Sequence, residues 1–514
     1  MTLHAHLILT GGNVFTLDTA RPRVSALAVR DGRIVLTGDD AAVGALAGPE
    51  TRRFDLEGRT VVPGFCDAHL HLVSYGTGLL RRADLVGSTS LDDLLDRLRA
   101  QAVRVPEGWI DGRGFDQELL AEKRFPTRAD LDRISATRPV LIARVCGHAT
   151  VVNSAALALL TDAERAAGDA ESGLYTEGAA GAFYRRMPPL SESEMEEAAL
   201  AGARAALATG ITSVHTLLDT PEQMGAWARL RRSGRLPLRV TGMPPFASVA
   251  ALHAHGVGTT FGDEWLRFGA AKLFSDGSLG AQTAWLAEPY ADAPSTRGIR
   301  IYDPDDLKAK ACEAQARGFQ LAIHAIGDQA VCETLDAIEA ALGEEDNRAH
   351  RHRIEHVSLA PPDAVRRMAE RGIVGVVQPQ FVRSDVWTPE RVGPERAPWA
   401  YPFRTLREAG VPLALSSDAP VERLDAFACL AAAVGRAPWS PEETLSPEEA
   451  LHAYCLGGAY AAHAEDRLGS LEVGKLADFV VLSGNPTRLD AEGIAGLKAE
   501  AVFVGGEQRQ SPAR

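Results

Sequence analysis

Val61-Val62-Pro63-Gly64-Phe65-Cys66 is a short apolar run, and Asp67-Ala68-His69-Leu70-His71 follows it without a break. Residues two apart in extended chain point the same way, so His69 and His71 can share one metal ion. Outward from this stretch, apolar strands recur at 211–216, 237–242, 267–274, 320–325, 352–357, 373–379 and 413–418. Helical patterns such as 191–208 and 305–317 separate most of them. Eight strands with intervening helices predict an α/β fold with a parallel sheet, a (β/α)8 TIM-type barrel.

Active sites of such barrels sit at the C-terminal strand ends, and that is where the polar residues fall. The fifth strand runs into His324, the sixth ends at His356 and the eighth at Asp418; in the fourth, Lys272 interrupts Ala270-Ala271-Lys272-Leu273-Phe274. Four imidazoles and a carboxylate converging there make a transition-metal site. Taken singly, His324 and His356 read as hydrogen-bonded core histidines, Asp418 as a helix N-cap and Lys272 as a surface lysine. Taken together, those readings need too many coincidences. His-x-His alone is weak evidence, since the chain has four copies. His4/His6 precedes any barrel strand, His253/His255 lies in a helical pattern, and His350/His352 opens a strand at its wrong end.

The first sixty residues alternate apolar with polar around turn signals such as Asp31-Gly32, and the C-terminal stretches 477–482 and 501–504 look the same. Both ends are therefore expected to build one small β-sandwich, from residues 1–60 and 465–514. The first barrel strand and its metal motif occupy 61–74, and the rest of the barrel 196–464. Residues 75–195 are far too long for one crossover and are read as an inserted subdomain following the first strand.

The chain has 514 residues, 46% hydrophobic and 24% charged, a soluble globular composition. The net charge of −14, without a long basic run, argues against nucleic acid or anionic membrane as partner. There is no long apolar span and no signal-peptide pattern at the start, so the expected address is cytoplasmic. Six scattered cysteines without a Cys-x-x-Cys read as buried thiols.

The ordered motifs resemble the amidohydrolase superfamily, and within it the YtcJ-like branch that includes N-substituted formamide deformylase. They are Val62 through His71, Lys272-Leu273-Phe274-Ser275-Asp276-Gly277-Ser278-Leu279-Gly280, His324-Ala325-Ile326-Gly327-Asp328, Arg353-Ile354-Glu355-His356, Ser416 through Val421 and Gly469 through Asp478. Within the insertion, Trp109 through Asp116 and Gly147-His148 through Ser154 look similar to the same branch. One departure follows His215. Relatives often continue Asp-Ala-Gly, and this chain has Thr216-Leu217-Leu218-Asp219.

The resemblance implies hydrolysis of a non-peptide carbon–nitrogen bond, an N-formyl or N-acyl amide of a small molecule, by metal-activated water. It implies two divalent metals per chain, zinc first and manganese, iron or nickel as alternatives. His69 and His71 hold one, His324 and His356 the other, and a carbamylated Lys272 bridges them. Asp418 is both ligand and proton acceptor, and His148 holds the carbonyl oxygen or is a structural surface histidine. Trp109, Phe115 and Asp116 line the substrate pocket or form the insertion's own core, and Asp276 joins the site or caps a turn. Many relatives are dimers, which allows a homodimer here. The same metals also suit a deaminase or an ester or lactone hydrolase. A catalytically inactive binding homologue is the reading that the complete ligand set argues against.

Overall fold

The computed structural model describes residues 4–144, 149–435 and 439–510 and divides the chain into two compact units, residues 1–72 with 203–514, and residues 73–202.

In the larger unit the two ends of the chain meet in one sheet. Six strands lie in the order Glu507–Gln510, Ala499–Val504, Phe479–Leu482, Thr60–Pro63, Asn13–Phe15, Arg23–Val24, with Val480 opposite Val62. A second sheet of four strands has the order Arg33–Gly38, Ala26–Arg30, Ala5–Thr10, Ala47–Asp55. Leu7, Leu27, Val29 and Ile34 of the second sheet share one core with Val61, Phe479, Val481 and Phe503 of the first. Asp31-Gly32 makes the two-residue hairpin its sequence calls for, with φ of 51° and 74° at the two positions.

The remaining strands are parallel. One sheet has the order Leu266–Phe268, Arg239–Met243, Ile211–Leu217, Phe65–Leu70; the other runs Ala271–Phe274, Leu321–Ala325, Arg353–His356, Val374–Val377, Leu413–Leu415. The stretch expected as one strand over 267–274 is interrupted at Gly269-Ala270. Its two halves belong to the two sheets, and the chain after the third strand follows both: Gly269 N–H donates to Gly242 O (2.8 Å) and Lys272 N–H to Pro244 O (2.8 Å). At the other edge, Asp418 N–H donates to His69 O (2.9 Å) and His71 N–H to Ala419 O (2.8 Å). This is an α/β fold consistent with a TIM-type barrel. Helices Pro221–Arg232, Pro304–Ala316 and Pro362–Arg371 each begin with proline in the first turn, where its missing N–H costs nothing. No helix of the described residues is long and apolar enough to cross a membrane.

The expected strand 61–66 divides differently. Thr60–Pro63 belongs to the terminal sheet, and the parallel strand is Phe65–Leu70, so His69 lies inside a strand and His71 one residue past its end. Gly64 is where the chain crosses over. A Cβ there would stand 2.0 Å from Thr212 Oγ1, a contact no side chain can make. Gly64→Ala is expected to cost about 1–3 kcal/mol through overpacking, read as a lowered midpoint in thermal denaturation; an unchanged midpoint would refute the close approach.

Residues 73–202 form a separate unit around a five-stranded sheet, Leu174–Thr176, Ala149–Val152, Val140–Arg144, Ile110–Phe115, Arg82–Asp84. Its amphipathic helix Leu91–Arg104 is capped by Ser90, whose hydroxyl accepts from Asp93 N–H (3.1 Å). Leu94, Leu95 and Leu98 of that helix pack on Ile110, Ile142 and Val151.

Candidate active site

The first strand delivers His69 and His71 to one place because they are two residues apart. Asp418, just past the eighth strand, stands between them, its Oδ1 3.5 Å from His69 Nε2 and 3.7 Å from His71 Nε2. The ligand atoms of these three residues all lie within 4.8 Å of one another, a geometry that can hold a cation. The His356 ring centroid is 5.0 Å from that of His69 and 4.4 Å from that of His324. The sequence-predicted imidazoles therefore form one continuous row, His71, His69, His356, His324.

Beside the row, Lys272 is buried and its Nζ has no hydrogen-bond partner. Burial pulls its pKa down to about 8. An orphaned, desolvated amine is a poor place for a permanent positive charge. His69 and His356 are held well below the ordinary histidine range, by burial first and then by neighbouring cationic groups, so both are neutral and able to ligate. Burial raises the Asp418 carboxyl to about 6. Neutral imidazoles, a carboxylate and an unsatisfied lysine nitrogen fit a bound divalent ion better than they fit an empty core.

The outer nitrogens of the histidines are all engaged. His69 Nδ1 donates to Glu355 Oε2, His71 Nδ1 to Asp219 Oδ1 (3.0 Å) and His356 Nδ1 to Gln378 Oε1 (2.8 Å). Each of these rings therefore presents Nε2 to the site. His324 differs: its Nε2, not its Nδ1, is the engaged nitrogen, meeting Gly277 O at 2.9 Å and Asp276 Oδ1 at 3.3 Å. Glu355 is itself held by Arg353, whose Nε donates to Oε1 at 2.6 Å; both side chains are at most 1% exposed. Arg353 also donates to Ala68 O (2.7 Å) and meets His215 Nδ1 at 3.0 Å. His356 and Asp418 are non-glycine residues with positive φ, 77° and 54°. Such backbone persists where the surroundings over-determine it, as they do at binding sites.

Sequence reading gave no role to these supporting groups. Glu355 and Arg353 sit inside a quoted motif, and Asp219 ends the stretch Thr216 through Asp219 in which the chain departs from its relatives. Gln378 had no signal beyond being a polar residue in an apolar strand.

The other expected site residues fall as follows. Asp276 is buried, and its oxygens accept from the N–H groups of Trp285 (2.9 Å), Ile326 (3.1 Å) and Gly327 (2.8 Å). It organises the loop beside His324 and also meets that ring, its Oδ1 3.3 Å from His324 Nε2, so its contacts include both a turn and a member of the row. Phe115 is fully buried in the core of the 73–202 unit, edge-on to Phe125, and Trp109 packs partly buried against that unit's other cluster. Asp116 pairs with Arg144 at 3.0 Å. His148 lies outside the described residues.

Comparison with known proteins agrees with this constellation. The amidohydrolase family model matches residues 52–510. The YtcJ protein of Bacillus subtilis is 31% identical over 97% of this chain and 98% of its own length. N-substituted formamide deformylase of Arthrobacter pascens is 28% identical over 99% of each chain. Among solved structures, an uncharacterized metal-dependent hydrolase from Pyrococcus furiosus superposes with a TM-score of 0.82 at 35% identity, covering 94% of this chain and 99% of that one.

Proposed function

The chain belongs to the amidohydrolase family, in its YtcJ-like branch, and from that premise we propose that this metal-dependent hydrolase cleaves a non-peptide carbon–nitrogen bond of a small molecule, an amide of the N-formyl or N-acyl kind. The observation that carries the reading is the row of four histidines closed by Asp418 and by the unsatisfied Lys272 nitrogen.

His69 and His71 would hold one divalent ion and His324 and His356 a second, zinc being the first choice for imidazole-rich sites. When bound, such ions lower the pKa of a coordinated water and polarise the substrate carbonyl. Lys272 adds to carbon dioxide as the free amine: Nζ forms the new bond, one proton leaves, and the carbamate oxygens provide the anionic donor that the ammonium cannot. Asp418 takes the proton of the attacking water and returns it to the leaving amine. Glu355, Asp219 and Gln378 keep three rings in the orientation that this requires.

The hydrogen bonds between both pairs of sheet edges support a closed (β/α)8 barrel over 61–74 and 196–464, and the shared apolar core supports a sandwich from 1–60 and 465–514, with 75–195 inserted.

Elemental analysis of the purified chain, with intact mass and a panel of N-formyl and N-acyl amines, tests the proposal. About two metal ions per chain and hydrolysis of at least one amide are expected. Activity confined to esters or lactones would overturn the bond assignment, and a folded chain that binds no metal would overturn the mechanism.

A further inference from the structure

At the opposite end of the parallel strands from the histidine row lies a small cavity with mainly apolar walls and a few charged side chains, wide enough for roughly one or two water-sized groups. Three arginines, Arg239, Arg267 and Arg467, and two carboxylates, Asp263 and Glu264, are among the residues that line it, with Cys66, Ser213, His215 and Thr241 beside them. Arg267 is 7% exposed, yet its side-chain hydrogen bonds go only to neutral oxygens and are long, Nε to Thr241 Oγ1 at 3.3 Å and Nη1 to the His463 carbonyl at 3.4 Å. Among the described residues no carboxylate reaches it within 4.0 Å.

Its neighbours do not offset the charge. Arg239 already has a bidentate partner in Asp478, at 2.6 and 2.9 Å. Asp263 is engaged by Arg231 (2.8 Å) and by two backbone N–H groups, and Glu264 by Arg33. Arg467 adds a second cation to the same wall, with its Nε on Asp466 at 3.3 Å. Burial and the Arg467 charge together pull Arg267 from its usual value to about 10. The Cys66 thiol, pushed up to about 12 by burial, is no counter-ion, and His215, held well below its usual range, is neutral. The Ser213 and Thr241 hydroxyls add hydrogen-bonding groups to a wall whose two carboxylates, Asp263 and Glu264, are already paired with Arg231 and Arg33.

A buried guanidinium without a counter-ion in contact is costly, and a small anion that enters its cavity reduces that cost. We propose that this cavity is an anion site of halide size, filled by chloride in ordinary salt and bound through Arg267. The space is too small for a tetrahedral oxyanion together with its hydration. The site is independent of the hydrolase reading, because none of its residues belongs to the metal row.

Two measurements on the full chain decide it. Crystals soaked in sodium bromide are examined by anomalous diffraction, and thermal midpoints are compared in sodium chloride and sodium gluconate at equal ionic strength. A bromide peak at the Arg267 guanidinium and a midpoint higher by roughly 2 °C in chloride are expected. Arg267→Met abolishes both, and Arg267→Lys, which retains the charge, keeps a reduced chloride response. If Arg267→Met does not fold, the bromide peak in the native chain and the Arg267→Lys response still decide the matter. The proposal is overturned by no peak at Arg267 in saturating bromide, by equal chloride responses in native chain and variants, or by displacement of the bromide by sulfate, which would make it an oxyanion site.

Discussion

Asp418→Asn is expected to lower kcat by roughly 10²–10⁴-fold while leaving metal content near that of the native chain, the range expected for loss of a positioned general base. Asparagine has nearly the shape of aspartate and keeps one carbonyl oxygen as a donor, but it cannot accept a proton. Asp418 Oδ1 is within 3.7 Å of both His69 Nε2 and His71 Nε2, so it stands where a water activated at the histidine row must lie. Its backbone is tied independently of its side chain, since Asp418 N–H donates to His69 O at 2.9 Å, and the variant therefore keeps its place. Turnover within tenfold of native would remove Asp418 from the proton transfer. Equal loss of metal and activity would make it a ligand only.

The second large effect concerns stability. Arg353→Met removes the cation that faces Glu355 in a part of the core where both side chains are at most 1% exposed. Breaking a buried pair by deleting one partner costs about 3–5 kcal/mol, because the surviving charge stays desolvated. Arg353 also satisfies Ala68 O and His215 Nδ1, so those acceptors are stranded as well. The apparent midpoint of thermal denaturation should fall by several degrees. The double variant Arg353→Met/Glu355→Gln should recover part of that loss, since no buried charge remains, yet bind metal about 10–100-fold more weakly than native, because Glu355 orients His69. A single variant as stable as native would show that the pair does not stabilise this core.

The two effects separate chemistry from support. In the proposed mechanism Asp418 handles the reacting proton, while Arg353 holds Glu355, which holds His69. A change at Asp418 is read in turnover and a change at Arg353 in folding and metal affinity.

Some of this was legible in the residues themselves. The pairing of His69 with His71 follows from the two-residue period of extended chain, and helix starts follow from proline in the first turn. The Asp31-Gly32 hairpin follows from backbone that only few residues adopt without strain. These are local consequences of covalent geometry, so they can be read from neighbours in the chain. The family motifs brought in Lys272, His324, His356 and Asp418 by their order and by their positions at strand ends.

The tertiary structure alone decided what depends on residues far apart in sequence. Whether Thr60–Pro63 belongs with the parallel strands or with the C-terminal strand Phe479–Leu482 is a choice between two apolar surfaces, and an apolar run does not state which one covers it. The same holds for Phe115, whose hydrophobicity suits a pocket or a core equally, and which packs in the core of the 73–202 unit. Glu355 became a partner of His69, and Asp219 of His71, only when strands 286 and 148 residues apart came together. Asp276 likewise had to wait for the loop that wraps its oxygens in backbone donors. Local conformation is governed by each residue's own sterics and is therefore carried by the sequence. Burial, charge compensation and ligand orientation are properties of the space between segments, and that space exists only in the folded chain.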